Sequence, residues 1–235
     1  MSIAENVAII RERIAAASRR AGRNADEIVL MGVSKTFPAK AILEAYAAGI
    51  RVFGENRVQE FGEKSPALTG LCDAEWHLIG HLQSNKANKA VELFHAVDSA
   101  DSLRLAERLD SAAAALGKPL DVLIEINIGG EAAKSGLAPD APELEHLLQA
   151  APRLEHLEVR GLMTIPPFAE NPEETRPYFR KLRELRDSIR GRKLLGMSLD
   201  TLSMGMSHDF EIAIEEGSTC VRVGTRIFGG RDGKA

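Results

Sequence analysis

Two spacings of apolar residues alternate along the chain. Short runs rich in Val, Ile and Leu, at 27–34, 50–54, 75–80, 94–99, 120–128, 157–165, 194–204 and 219–224, predict eight strands. Most are nearly continuous in apolar side chains, the pattern of strands covered on both faces. Between them, apolar positions recur every three to four residues over 39–48, 58–64, 86–93, 102–116, 142–150, 172–189 and 208–216, which predicts helices. A further helix, 3–21, precedes the first strand. The punctuation agrees. Pro38 suits a first helical turn, Asp101 and Asn171 suit N-caps, and Gly49, Gly117, Gly191 and Gly217 lie where helices should stop. Strand–helix alternation on this scale predicts an α/β fold: a (β/α)8 TIM barrel, one domain over 1–235, with an extra N-terminal helix. The eighth helix would come from 227–235, or the N-terminal helix would cover that gap. The competing architecture is an open doubly wound sheet.

Composition narrows the function. In 235 residues, 44% are apolar and 27% charged, which rules against disorder and against a disulfide scaffold. Acidic residues outnumber basic ones, 34 to 30, so the net charge is −4 and the chain lacks a basic footprint for nucleic acid. No apolar stretch is long enough to span a bilayer, and Glu5, Arg11 and Glu12 interrupt what a signal peptide would need. Cys72 and Cys220 are far apart in sequence and form no CxxC; both are expected to be buried thiols in a reducing cytoplasm. The basic stretch 176–193 carries Phe179, Leu182, Leu185 and Ile189 at helical spacing, so it reads as an amphipathic outer helix with a solvated face. Of the six histidines, His77 and His81 stand at HxxxH spacing but in a strand run and the turn after it rather than on one helix face, and no HExxH occurs, so no metal site is expected.

In a barrel, chemistry sits at the C-terminal ends of the strands. Lys35 ends the first strand run, where a solvated charge is awkward. Desolvation favours the neutral amine, the form that condenses with an aldehyde; the alternative is a lysine that snorkels to solvent. Ser203-Met204-Gly205-Met206-Ser207 and Gly224-Thr225 end the seventh and eighth runs, where backbone N–H groups cradle anions in many barrels. Lys35 and these two turns together suggest a ligand with both a carbonyl and a phosphate. His77 reads as a satisfied structural histidine.

These residues fall in longer matching stretches: VSKTFP (33–38), FGENRVQE (53–60), WHLIGHLQSNK (76–86), KSG (134–136), GLMTI (161–165) and LSMGMSHDFEIAIEEGSTCVRVGTRIFG (202–229). Through them the chain resembles the pyridoxal phosphate (PLP) homeostasis proteins, single-barrel relatives of the alanine racemase N-terminal domain. The resemblance implies a fold type III barrel that holds PLP as an aldimine on Lys35. It implies a carrier or buffer of PLP, without an established enzymatic reaction. It places the phosphate at Ser203, Gly205, Gly224 and Thr225, Arg222 at the pyridine nitrogen, and Asn56 at the phenolic oxygen. Met163 and Met204 would pack on the ring or be plain core methionines. Arginine can only donate, so an arginine there favours an unprotonated ring nitrogen and a poor electron sink. Lys134 would be a second aldehyde-reactive amine or a solvated loop lysine. The implied partners are PLP and PLP-dependent apo-enzymes, with neither nucleic acid nor membrane, and the protein is expected to be a monomer. Two other functions compete. An amino-acid racemase would need the β-domain whose dimer partner supplies a catalytic tyrosine; this chain ends at Ala235, and Tyr46 and Tyr178 fall in helices. A Schiff-base aldolase for a phosphosugar would use the same lysine and cradle, with no need for Arg222.

Overall fold

In the computed structural model, which describes residues 1–131 and 133–230, eight parallel strands close on themselves in chain order. They are β1 (Val29–Val33), β2 (Val52–Glu55), β3 (Glu75–Leu78), β4 (Ala96–Ala100), β5 (Leu120–Glu125), β6 (Leu157–Met163), β7 (Met197–Met206) and β8 (Cys220–Val223). β8 returns to β1 with Val29 beside Cys220 and Gly32 beside Val223, which excludes the open sheet. Around the barrel run α2 (Ala39–Ala47), α3 (Val58–Lys64), α4 (Ala87–Leu93), α5 (Leu103–Leu116), α6 (Pro142–Ala150), α7 (Arg176–Gly191), α8 (Phe210–Glu215) and α9 (Thr225–Phe228). The extra helix α1 (Ile3–Arg20) lies against α8 and α9, with Asn6 donating to the Ile227 carbonyl at 2.9 Å. It starts with a capping box between Ser2 and Glu5. The eighth helix begins at Thr225, two residues earlier than expected, and residues 231–235 of the expected tail lie outside the described residues.

The local signals are corrected in places. Ser102, not Asp101, caps α5 by accepting the Leu105 N–H, because the Asp101 carboxylate is drawn to His81 at 3.1 Å. Pro38 is the N-cap of α2 rather than part of its first turn. Asn171 does cap, but it caps a short 3-10 turn, Pro172–Thr175, that precedes α7. Gly191 is the last residue of α7, whereas Gly117 closes α5 in the left-handed region at φ 62°. Cys72 is exposed, in a surface turn between α3 and β3, while Cys220 is buried inside the barrel as expected. No helix among the described residues is long and apolar enough to cross a membrane.

The main core lies between strands and helices, where Phe53 stacks on Trp76 and Phe61 packs on Trp76 and Phe94, with centroids 4.8–5.0 Å apart. The basic helix α7 buries Phe179, Leu182 and Ile189. Its polar face is partnered rather than simply solvated. Arg176, Arg180 and Arg183 converge at 3.2, 3.0 and 3.1 Å on Glu216, which is only 5% exposed and needs that compensation.

Inside the barrel the interior divides into two ends. At the N-terminal ends of the strands a cavity of about 510 Å3 is lined by Glu75, His77, Asp98, Asp121 and Arg160 among others. His77 Nδ1 lies 3.0 Å from Asp98, and its other nitrogen 3.8 Å from Glu75, so His77 is the satisfied histidine expected. Burial alone would lower the imidazole, but the Asp98 charge and hydrogen bond outweigh it and raise the group to about 10. The pair therefore stabilises the fold fully below the unfolded histidine range, near 6.5, and that contribution fades as pH rises through about 10. His77→Ala should cost about 3 kcal/mol by denaturant unfolding at pH 6. The deficit should shrink as the pH rises from about 6.5 and reach its minimum above about 10.

Candidate functional site

At the opposite end, the C-terminal ends of the strands enclose a cavity of about 570 Å3, within the range of small-ligand pockets. Lys35 reaches it from the turn after β1. That turn is held by an unusual concentration of polar contacts. The Ser34 N–H donates to the Gly54 carbonyl at 3.0 Å, and Phe37 N–H to the Ser34 carbonyl at 3.1 Å. Thr36 sits in the left-handed region at φ 68°, and its N–H donates to Glu60 at 2.5 Å. Beneath them the Lys64 ammonium donates to the Ser34 carbonyl at 3.2 Å, to the Phe37 carbonyl at 3.3 Å, to Glu55 at 2.8 Å and to Glu60 at 2.9 Å. Ser34 Oγ adds a bond to the same Glu55 oxygen at 2.8 Å. Glu55 is wholly buried, and burial raises its carboxyl against the pull of Lys64 and Ser34. Burial works the same way on Glu60, but bonds from Lys64 and the Thr36 N–H win and hold it below the usual range.

The other walls follow from the strand ends. A side chain on Gly80 would come within 2.4 Å of the Asn56 carbonyl, so glycine lets the ends of β2 and β3 approach and brings Asn56 into the mouth. Arg222 of β8 forms part of the floor, 3% exposed, with Nη1 donating to Ser203 Oγ and Nη2 to the Thr164 carbonyl, both at 2.8 Å. Met206, Ser207 and His208 line the pocket after β7, with Ser207 and Thr225 hydroxyls 3.4 Å apart. Lys134 Nζ donates to the Pro166 carbonyl at 3.1 Å and pairs with Glu131, tying the loop after β5 to the loop after β6. Phe168 stacks on His208 at 5.9 Å on the rim.

Of the residues expected in the site, Lys35, Asn56, Arg222, Gly224, Thr225 and Lys134 line one cavity. Ser203 lies below it, its hydroxyl engaged by Arg222. Met163 and Met204 are fully buried, Met204 within the core between strands and helices. Gly205 is pressed onto α8, where a side chain would meet Ala213 Cβ at 2.5 Å, and at φ 93° glycine is required there. The hydroxyl that lines the mouth just after β7 is that of Ser207. Tyr46 bonds Asp73 on the outside, and Tyr178 packs at the edge of the core.

Sequence reasoning missed Glu125. It interrupts the apolar run LDVLIEINI (120–128), so a signal of a charge placed where one is awkward was present. Glu125 lines the mouth at 8% exposure, and its Oε2 has no hydrogen-bond partner among the described residues. Burial, aided by repulsion from Asp101 and opposed by Arg222 and His81, raises its carboxyl to about 7. Lys64 was missed too, and nothing in its helical position advertises it. No group of three or more metal-ligating side chains occurs among the described residues.

Comparison with known proteins is consistent across the chain. Residues 5–232 match the family described as alanine racemase, N-terminal domain. A pyridoxal phosphate homeostasis protein from Aquifex aeolicus is 48% identical over 98% of this chain and 99% of its own length. Its namesake from Escherichia coli K12 is 47% identical over 98% and 97%. The structure of PipY from Synechococcus elongatus with PLP bound superposes with a TM-score of 0.84 at 41% identity, covering 97% of this chain and all of that one. Alanine racemase from Streptomyces coelicolor shares the fold at TM-score 0.69 and 23% identity, over 96% of this chain and 59% of that one.

The clamp under Lys35 is testable. Lys64→Met should leave Glu55 buried without its cation and cost about 3 kcal/mol in denaturant unfolding. Lys64→Met combined with Glu55→Leu should recover most of that loss, because it removes both charges.

Proposed function

The chain belongs to the pyridoxal phosphate homeostasis proteins, within the alanine racemase N-terminal domain family, and from that premise we propose that it binds PLP in the mouth of its barrel and buffers the cofactor for other proteins. The observation that carries this reading is the meeting of Lys35, Arg222, Gly224 and Thr225 around one cavity. The cavity also fits the group chemically. It offers an amine on a clamped turn, a buried guanidinium, and a pair of hydroxyls beside exposed backbone at two strand ends. When bound, PLP supplies an electrophilic aldehyde carbon and a phosphate dianion.

The roles of the chain's own residues follow from their chemistry. Lys35 is the nucleophile for the aldehyde, aimed by the Ser34–Thr36 turn. Ser207, Gly224 and Thr225 receive the phosphate in place of the deeper Ser203 and Gly205. Arg222, anchored by Ser203 and the Thr164 carbonyl, donates to the ring nitrogen and keeps a proton off it. That withholds the electron sink that transaminases use, which suits retention of the cofactor over turnover. Asn56 donates to the phenolic oxygen. Lys134, already bonded to Pro166 and Glu131, is a second amine at the rim. In this reading the protein works in the cytoplasm as a monomeric, one-domain unit and delivers PLP to apo-enzymes that depend on it.

Borohydride reduction followed by peptide mass spectrometry tests the assignment. The PLP-loaded protein should show a visible imine band and, after reduction, a pyridoxyl mass on Lys35. Lys35→Ala should lose both. An adduct found on Lys134 with Lys35 unmodified overturns the assignment, and a protein that acquires neither band nor adduct overturns PLP binding.

A further inference from the structure

Glu125 is the buried acid of the mouth that PLP binding leaves without a task. It ends β5 and lines the same cavity as Lys35, yet its Oε2 is shielded from solvent with no donor among the described residues. A carboxylate oxygen taken from water without a donor is costly, so such an atom inside a ligand cavity is suited to a donor brought in with a ligand.

The surrounding cations have other commitments. Arg222 on β8 donates to Ser203 and to the Thr164 carbonyl. His81, after β3, bonds Asp101, after β4, at 3.1 Å. Lys134, after β5, is held by Pro166 and Glu131, and His208, after β7, by the Glu170 carbonyl at 3.1 Å. Lys35, after β1, lines the same cavity and has an interaction of its own. The walls beside these groups include Ile79, Ile126 and Ile165, apolar surroundings in which an ion pair is screened less than in water.

We propose that Glu125 forms a subsite for a primary ammonium group, as carried by free amino acids and simple alkylamines, in the barrel mouth beside Lys35. An ammonium head is small and presents three N–H donors, so it serves one recessed oxygen where a planar guanidinium would need two. The subsite rests on the reading of this mouth as the PLP site, since a pocket that binds an aldehyde through a lysine meets amines as the chemically matched competitors. Its proton balance is set by burial. A carboxyl held near neutrality is partly protonated, and an arriving cation favours the ionised form, so a proton leaves as the ammonium binds. Affinity should therefore rise between pH 6 and pH 8 and level off above.

The test uses the full chain freed of PLP, with carboxyl-carbon-labelled glutamate observed by NMR across a pH titration. Glu125→Gln removes the Glu125 signal and assigns it, and Glu125→Asp assigns it independently if the amide does not fold. Saturating glycine should lower the Glu125 midpoint by about one pH unit, and glycolate, with hydroxyl in place of ammonium, should leave it unmoved. A matching shift with methylamine identifies the ammonium alone as the ligand; a shift with glycine only identifies an amino acid. A midpoint unmoved by glycine, or moved equally by glycolate, overturns the subsite. The borohydride adduct on Lys35 is scored separately in loaded protein. Its absence overturns the cofactor reading, whereas an adduct together with an unmoved midpoint overturns the subsite alone.

Discussion

The Lys64 ammonium ties the site together. Its donors reach two carbonyls of the turn after β1 and two carboxylates, one from β2 and one from its own helix. The charges depend on one another: Glu55 is buried without access to water, and the cation beside it is the reason that burial is tolerable. The turn depends on both, since the Ser34 hydroxyl and the Thr36 N–H bond the same two carboxylates. A network of this kind, made outside the barrel wall, fixes what the inside of the mouth can present.

The barrel was legible because strands covered on both faces are largely apolar, as β1 (VLMGV) is throughout. The misread caps show where local signals yield to tertiary ones: Asp101 has the chemistry of a cap, but His81 claims it. Among the residues that line the mouth, Lys35 and Gly224 were legible because they follow or end apolar strand runs, whereas Asn56 and Arg222 came from the family resemblance. At the seventh strand the element runs on to Met206, two residues past the expected end at 204. The cavity is lined there by Met206, Ser207 and His208, and the Ser203 hydroxyl accepts from Arg222 below it. Glu55 escaped notice because outward-facing strand residues give no sign of a cation waiting under a helix.

The same logic of paired burial organises the rest of the molecule. Glu216 draws three arginines of α7 onto the edge of α8, so the most basic segment of an acidic protein is engaged with its own fold. At the floor of the barrel, Asp98 answers His77 in a cavity distinct from the mouth. Between the two ends lies Arg222, with Asp98 acting on it from below and Glu125 and Asp209 from the mouth side.

Thr36 shows what the clamp achieves. A β-branched residue in left-handed conformation carries strain of about 1–3 kcal/mol, borne from the moment the chain folds. The neighbouring amine is consequently oriented in advance, so no backbone freedom has to be surrendered when a ligand arrives. Capture is then reversible at little entropic penalty in either direction, the thermodynamic profile expected of a lender.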